Sequence, residues 1–275
     1  MPELAEVEFY RKRWALAGTG DLIRRVHVHA DRKVFRGTDA AALQRELTGQ
    51  PLGASQTSAK QMLFRAGDSG WLGIHLGMTG ELFTAPSMHS PGRHDHLVLF
   101  QDERALVFRD PRMFGRILFQ QGPATPEWWS RIAPPILSAA FTVDAVTAFL
   151  RRRRRSPLKA VLLQQERFPG VGNWMADEIL WRAALPPARP AGALTPAEVR
   201  RLWRECRQVC RQALAAIAGK GDDLPADLNV GIPLTWLFLH RWRDGGRCPR
   251  TGRPLARATI GGRTTCWSPA RQGRK

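Results

Sequence analysis

His96-Leu97-Val98-Leu99-Phe100-Gln101-Asp102-Glu103-Arg104-Ala105-Leu106-Val107-Phe108 sets the fold class of the first half of the chain. Two apolar five-residue stretches flank a three-residue polar break, which predicts a β-hairpin. Strand signals continue on either side of it. Val26 and Val28 alternate with polar residues, 71–76 is an apolar run, and 117–119 reads as a further strand. Ahead of these, Leu4, Val7, Tyr10 and Trp14 recur at helical spacing, and Gly18 can end that helix. The first part is therefore expected to be β-rich with a helix at its start.

The pattern changes near Pro134-Pro135. Helical periodicity follows over 143–150, 158–165, 174–183 and 196–218, broken by Pro186-Pro187-Ala188-Arg189-Pro190. From about Arg241 the chain is Gly- and Arg-rich with short β-like pieces. The expected fold class is α+β. A β-sandwich domain covers 1–134, a helical domain 135–225, and a terminal β-hairpin 235–275.

The 275 residues carry 42 Lys and Arg against 24 Asp and Glu, a formal charge of +18. Such an excess favours a polyanionic partner, and counterion release makes nucleic acid the natural one. An anionic membrane would call for an amphipathic basic helix or a lipidation signal, and neither is read here. The acidic start, with no long apolar run, does not read as a signal peptide. Cys206, Cys210, Cys248 and Cys266 are the only cysteines. So few suggest reduced thiols in a cytosol. The run 151–155, five arginines, reads by itself as a solvated helix face.

The chemistry-bearing residues begin at Pro2. A small residue after Met1 permits removal of that Met, leaving a secondary amine at the N-terminus. A free α-amino group titrates near ~7.7–8.0, so a neutral fraction exists at physiological pH. Such an amine can attack a sugar C1′, expel a base and hold the opened sugar as an iminium ion. Glu3 and Glu6 begin the first helix, where carboxylates complement the helix dipole, and spacing alone favours that reading well over one in which Glu3 donates a proton to the sugar ring oxygen. Likewise Gly170-Val171-Gly172-Asn173 could be an ordinary turn or a phosphate site at a helix N-terminus.

Pro2-Glu3-Leu4-Ala5-Glu6-Val7-Glu8 resembles the N-terminal signature of the formamidopyrimidine-DNA glycosylase and endonuclease VIII family, with Ala5 where the family usually has proline. Further matches follow in order: Ala59-Lys60, His75-Leu76-Gly77-Met78-Thr79-Gly80, His94-Asp95-His96, Asp110-Pro111-Arg112-Met113-Phe114-Gly115, Gly170-Val171-Gly172-Asn173 and Gly261-Gly262-Arg263-Thr264-Thr265. Each alone is weak; six in order over nearly the whole chain are specific.

The resemblance implies a bifunctional DNA glycosylase and abasic-site lyase of base-excision repair. Pro2 would be the nucleophile and Glu3 the acid, with Glu6 bracing the amine's surroundings by hydrogen bonding. Lys60 would bind a phosphate beside the lesion. Met78, Arg112 and Phe114 would fill the void left by a flipped nucleotide. Gly172 and Asn173 would lie in a helix–two-turn–helix motif at a phosphate, Lys159 would line the lesion side, and Arg263 would reach a phosphate from the hairpin. The expected substrate is double-stranded DNA with oxidised bases (8-oxoguanine, formamidopyrimidines) or abasic sites. The chain is expected to act as a monomer, without a membrane, in a bacterial cytosol or nucleoid. Segment 219–239 should hold the lesion-capping loop.

Most relatives end in a zinc finger of two C-x-x-C pairs. Here the matching positions are Cys248, Thr251, Ser268 and Arg271. Three of the four are unsuited to the metal, so a zincless finger and no cofactor are expected. Cys206 and Cys210, four apart on a helix, read as core. The alternatives are an endonuclease VIII-like enzyme for oxidised pyrimidines and a non-catalytic damage-binding protein. A metal-dependent nuclease lacks a convincing set of carboxylates.

Overall fold

The computed structural model describes residues 1–29 and 32–273. They form two compact units: 1–132 with 218–224, and 133–217 with 225–273 among the described residues.

The first unit opens with helix α1 (Leu4–Gly18), whose Val7, Phe9, Tyr10 and Trp14 are buried. Strand β1 (Arg25–Val28) and helix α2 (Ala40–Leu47) follow. Asp39 caps α2 by accepting from Ala42 N at 3.0 Å, and Leu43 and Leu47 are its buried face. Then come β2 (Leu52–Ser58), β3 (Gln61–Ala66), β4 (Gly70–His75), β5 (Glu81–Pro86), β6 (Asp95–Phe100), β7 (Arg104–Arg109) and β8 (Arg116–Gln121). All pair antiparallel into two four-stranded sheets, ordered β1-β6-β7-β5 and β2-β3-β4-β8. The β6–β7 hairpin lies where the sequence places it, with Phe100 opposite Ala105. The α1 helix packs on β5 and β7 of one sheet and on β2 and β3 of the other. Its Trp14 packs against Phe64 with ring centroids 5.5 Å apart and tilted, and donates Nε1–H to Phe83 O.

Helix α1 ends where Gln101 Nε2 reaches Gly18 O at 2.8 Å. A Cβ on Gly18 would come within 2.6 Å of Gln101 Oε1, so the absent side chain leaves the room that the Gln101 amide fills. Lys12, nearly buried on α1, donates to Ala218 O at 2.7 Å, which ties 218–224 into this unit. The short helix α3 (Glu127–Ser130) lays Trp128 on Gly73, where a Cβ would sit 2.3 Å from the indole.

The second unit is helical: α4 (Val143–Arg152), α5 (Leu158–Leu162), α6 (Asn173–Arg182) and α7 (Pro196–Ile217). Thr142 caps α4, its hydroxyl oxygen accepting from Ala145 N. Along α7, Val199, Leu202, Cys206, Val209, Cys210, Ala213 and Ile217 form one buried stripe, so Cys206 and Cys210 are core thiols as expected. The helix expected over 158–165 stops at Leu162. Gln165 is instead used in the following turn, accepting from Gly170 N and donating to Val171 O. Strands β9 (Ala256–Ile260) and β10 (Arg263–Trp267) form a two-stranded hairpin, and α8 (Pro269–Gln272) closes the described chain.

Candidate active site and nucleic-acid interface

The head of α1 is built by its own carboxylates. Glu3, at the N-cap, accepts from the backbone N–H of Glu6, while Glu6 Oε2 accepts from Glu3 N at 3.1 Å. This reciprocal pair is a capping box, and it fixes the direction in which Pro2 leaves the helix. Both glutamates are almost fully buried, which is unusual for helix-start carboxylates and fits a site as well as a cap. Lys60 sits in the β2–β3 turn, next to Ala59 at φ +54°, and its Nζ lies 3.9 Å from Met1 Sδ. The structure therefore brings Lys60 to the N-terminus across 59 positions of sequence. At the end of β4, His75 Nδ1 accepts from Gly77 N; burial, with Lys60 and Arg36, depresses the imidazole's pKa and favours its neutral form.

Met78 and the pair Arg112, Phe114 lie on two loops that meet. Gly77, at φ +63°, is pressed on the other loop, since a Cβ there would lie 2.4 Å from the Phe114 carbonyl carbon. Asp110 locks the junction from beneath. Its carboxylate accepts from Thr79 Oγ1 at 2.8 Å, Arg112 N at 3.3 Å and Gly115 N at 2.7 Å. Sequence reasoning quoted Asp110 only as part of a motif and missed this role. The sequence signal is Asp110 directly before Pro111 and ahead of Gly115, a turn-type spacing at which an aspartate accepts from nearby backbone N–H groups. Phe114 is 50% exposed, so it is no core plug, and Arg112 lies 4.8 Å over its ring. Met78 is half-buried.

In the second unit, Gly172 caps α6 in an extended conformation and Asn173 is the first helical residue. Asn173 Nδ2 donates to Thr264 O at 2.9 Å, joining the helix start to the hairpin. Arg263 is exposed beside the turn Gly261-Gly262, both at positive φ. Lys159 departs from its expected place on the DNA side. It is fully buried, donating to Asp177 Oδ1 at 2.5 Å and to Asn173 O at 2.6 Å. The carboxylate and carbonyl compensate an ammonium that would otherwise be costly to bury, so Lys159 holds the fold together from inside. Asp177 and Arg241, its partners in this cluster, were not read from the sequence.

At the finger positions Cys248 Sγ accepts from Trp181 Nε1 at 3.4 Å. Burial raises the Cys248 thiol's pKa, but the Thr251 and Ser268 hydroxyls and the Trp181 N–H outweigh it and hold it at about 7. Arg271 turns its guanidinium onto the carbonyls of Trp181 and Arg182, at 2.7 and 2.9 Å. Cys248, Cys266, Trp181 and Leu237 pack as one buried cluster with Leu255. Among the described residues no group of three His, Cys, Asp or Glu is arranged to hold a metal, and no helix is long and apolar enough to cross a membrane.

Comparison with known proteins bears on the whole chain. The family model for the formamidopyrimidine-DNA glycosylase N-terminal domain matches residues 1–117, and that for the formamidopyrimidine-DNA glycosylase H2TH domain matches 132–222. Formamidopyrimidine-DNA glycosylase of Thermus thermophilus is 36% identical over 99% of both chains. The Halorhodospira halophila protein of that name is 37% identical over 98% of both. Among solved structures, a Lactococcus lactis Fpg complex with abasic-site DNA superposes with a TM-score of 0.87 at 24% identity, covering 99% of this chain and 100% of that one. A complex of LlFpg with a THF-DNA and an inhibitor gives 0.87 at 25%, with the same coverage. Two family models covering most of the chain, full-length relatives above 30% identity and the two-sheet-plus-helices fold agree, and the chain belongs to the formamidopyrimidine-DNA glycosylase family.

Proposed function

We propose that this chain removes oxidised bases from double-stranded DNA and then cleaves the strand at the resulting abasic site. It is a base-excision repair DNA glycosylase with lyase activity, as the family is. The observation that carries the residue-level reading is the head of α1, where Glu3 is buried beside Pro2 and Lys60 is drawn to the N-terminus.

Once Met1 is removed, the Pro2 nitrogen lone pair bonds to C1′ and the glycosidic bond breaks, its electron pair leaving with the base, which takes up the proton that the amine sheds. Glu3 gives a proton to the ring oxygen as the sugar opens to an iminium. Loss of a C2′ proton then drives elimination of the 3′ phosphate, and a second elimination releases the 5′ phosphate. The iminium is the electron sink for both eliminations. Lys60 holds the adjacent phosphate. Met78, Arg112 and Phe114 enter the space of the extruded nucleotide; the exposure of Phe114 and the Asp110-locked loops support that role. Asn173 and Arg263 grip the backbone from the second unit.

The preferred lesions in this reading are 8-oxoguanine and formamidopyrimidines, in keeping with the name its relatives carry. The protein works as a monomer in a bacterial cytosol, at the nucleoid. Its finger holds without zinc. In support, Thr251 and Ser268 offer neutral hydroxyls, poor ligands for this metal, and Arg271 places a cation at the fourth position. Single-lesion duplexes test the reading. It expects 8-oxoguanine opposite cytosine to be excised faster than thymine glycol or dihydrouracil, with a one-nucleotide gap. The reverse order would move the chain to the endonuclease VIII type, and binding without cleavage would make it a damage-recognition protein.

A further inference from the structure

Asp177 lies on the second turn of α6 with a fully buried carboxylate. Donors from three other segments converge on it. Lys159 Nζ on α5 reaches Oδ1 at 2.5 Å. Arg241, in the stretch before the finger, reaches Oδ2 through Nε at 3.0 Å and Nη2 at 2.6 Å. The backbone N–H of Cys266 on β10 donates to the same oxygen at 3.0 Å. Lys159 also donates to Asn173 O, and Asn173 Nδ2 donates to the carbonyl of Thr264, the neighbour of Arg263. At the hairpin turn a Cβ on Gly261 would lie 2.6 Å from Ala160 Cβ, so α5 supports the turn directly.

We propose that Asp177 is a positioning residue that aligns Asn173 at the start of α6 with Arg263 on β10, so that the two engage the DNA backbone as one clamp. This rests on the proposed function, which makes Asn173 and Arg263 phosphate ligands. A two-stranded hairpin is marginal by itself, so something must set its pose on the helices. A charge this deep tolerates few arrangements of its partners, because each cation left unpaired in the interior is costly. Every segment that carries a ligand of the clamp is tied to this one carboxylate or to its Lys159 partner. Asp177 touches no substrate; its effect is on where the ligands stand.

The test is binding of a duplex with a tetrahydrofuran abasic analogue across a salt series, with the folded fraction measured on the same samples. Asp177→Asn keeps the shape and removes the charge. Arg241→Met removes one cation and serves if Asp177→Asn fails to fold. The expected result is at least tenfold weaker binding by the folded variant. The log affinity–log salt slope should fall by about 0.9 for each phosphate no longer neutralised. Either substitution should add little to Arg263→Ala, because that phosphate has already been released. Lowered stability alone would change only the folded fraction. An unchanged slope, or effects that add to Arg263→Ala, overturns the positioning role. A wild-type protein with no preference for the abasic duplex overturns the functional reading itself, a separate outcome.

Discussion

Two hairpins of this protein carry a basic residue at or beside the turn, Lys60 and Arg263, and they are held by different physics. The β2–β3 hairpin bears Lys60 and belongs to a four-stranded sheet, with Met62, Leu63 and Phe64 of β3 buried in the core. Its pose follows from ladder hydrogen bonds and apolar burial. The β9–β10 hairpin bears Arg263 and is two-stranded, with burial confined to Ile260, Thr265, Cys266 and Trp267. Its support is a buried carboxylate, Asp177, and an apolar cluster around Cys248 and Cys266. A sheet tolerates loss of one polar contact because the rest of the ladder remains. The second arrangement concentrates its support in a few buried charges.

The largest expected effect separates the two hairpins by stability. Lys159→Ala leaves Asp177 short of a cation in the interior and should cost about 3–5 kcal/mol in urea denaturation. Lys60→Ala should stay within about 0.5 kcal/mol of wild type. Equal losses from both would remove the distinction. Next comes function. Lys60→Ala should slow cleavage of abasic DNA about tenfold or more, consistent with losing one charged hydrogen bond to phosphate.

Acid should separate the units further. Burial raises the Asp95 pKa, but Arg109, Gly92 N–H and His89 together hold the carboxyl at about 2. A depressed carboxylate stabilises the fold above its unfolded pKa of about 3.9, and that stability drains as pH falls toward 2. The loss is about 2–3 kcal/mol and belongs to the sheet-based unit. An Arg109→Met variant should show a shallower decline between pH 5 and pH 2 in acid melts. The smallest effect is on metal removal. Chelator should leave melting and lesion cleavage unchanged, and metal analysis should find far less than one zinc per chain. Stoichiometric zinc whose removal abolishes DNA binding would contradict the account of the second hairpin.

Elements whose apolar residues repeat on one face were legible in the sequence: α1 from Leu4, Val7, Tyr10 and Trp14, the β6–β7 hairpin, and the long stripe of α7. Strands β2, β3 and β5 were not. The β2 sequence Leu-Gly-Ala-Ser-Gln-Thr-Ser carries almost no apolar signal, because as an edge strand it relies on its partner's ladder. Helix α2 did carry a signal, Asp39 ahead of Ala-rich sequence, that went unread. In the site, Lys60 stands beside Met1 and Phe114 is half exposed, while Lys159 turns inward. A lysine pattern does not reveal whether its partner is a phosphate or a buried aspartate. Asp177 was equally hidden, since an Asp-Glu pair on a helix ordinarily faces water, and only the assembled fold shows all its donors converging.

The central claim is that the nitrogen of Pro2 bonds covalently to the sugar. Borohydride added during reaction with abasic-site DNA reduces the iminium and fixes the link, and peptide mapping then locates it. The account predicts a cross-link at Pro2 in the Met-processed protein, loss of the cross-link when the N-terminus is extended, and greatly slowed base excision in Pro2→Gly. A cross-link of undiminished yield in the extended protein, or one mapped to a lysine, would contradict it.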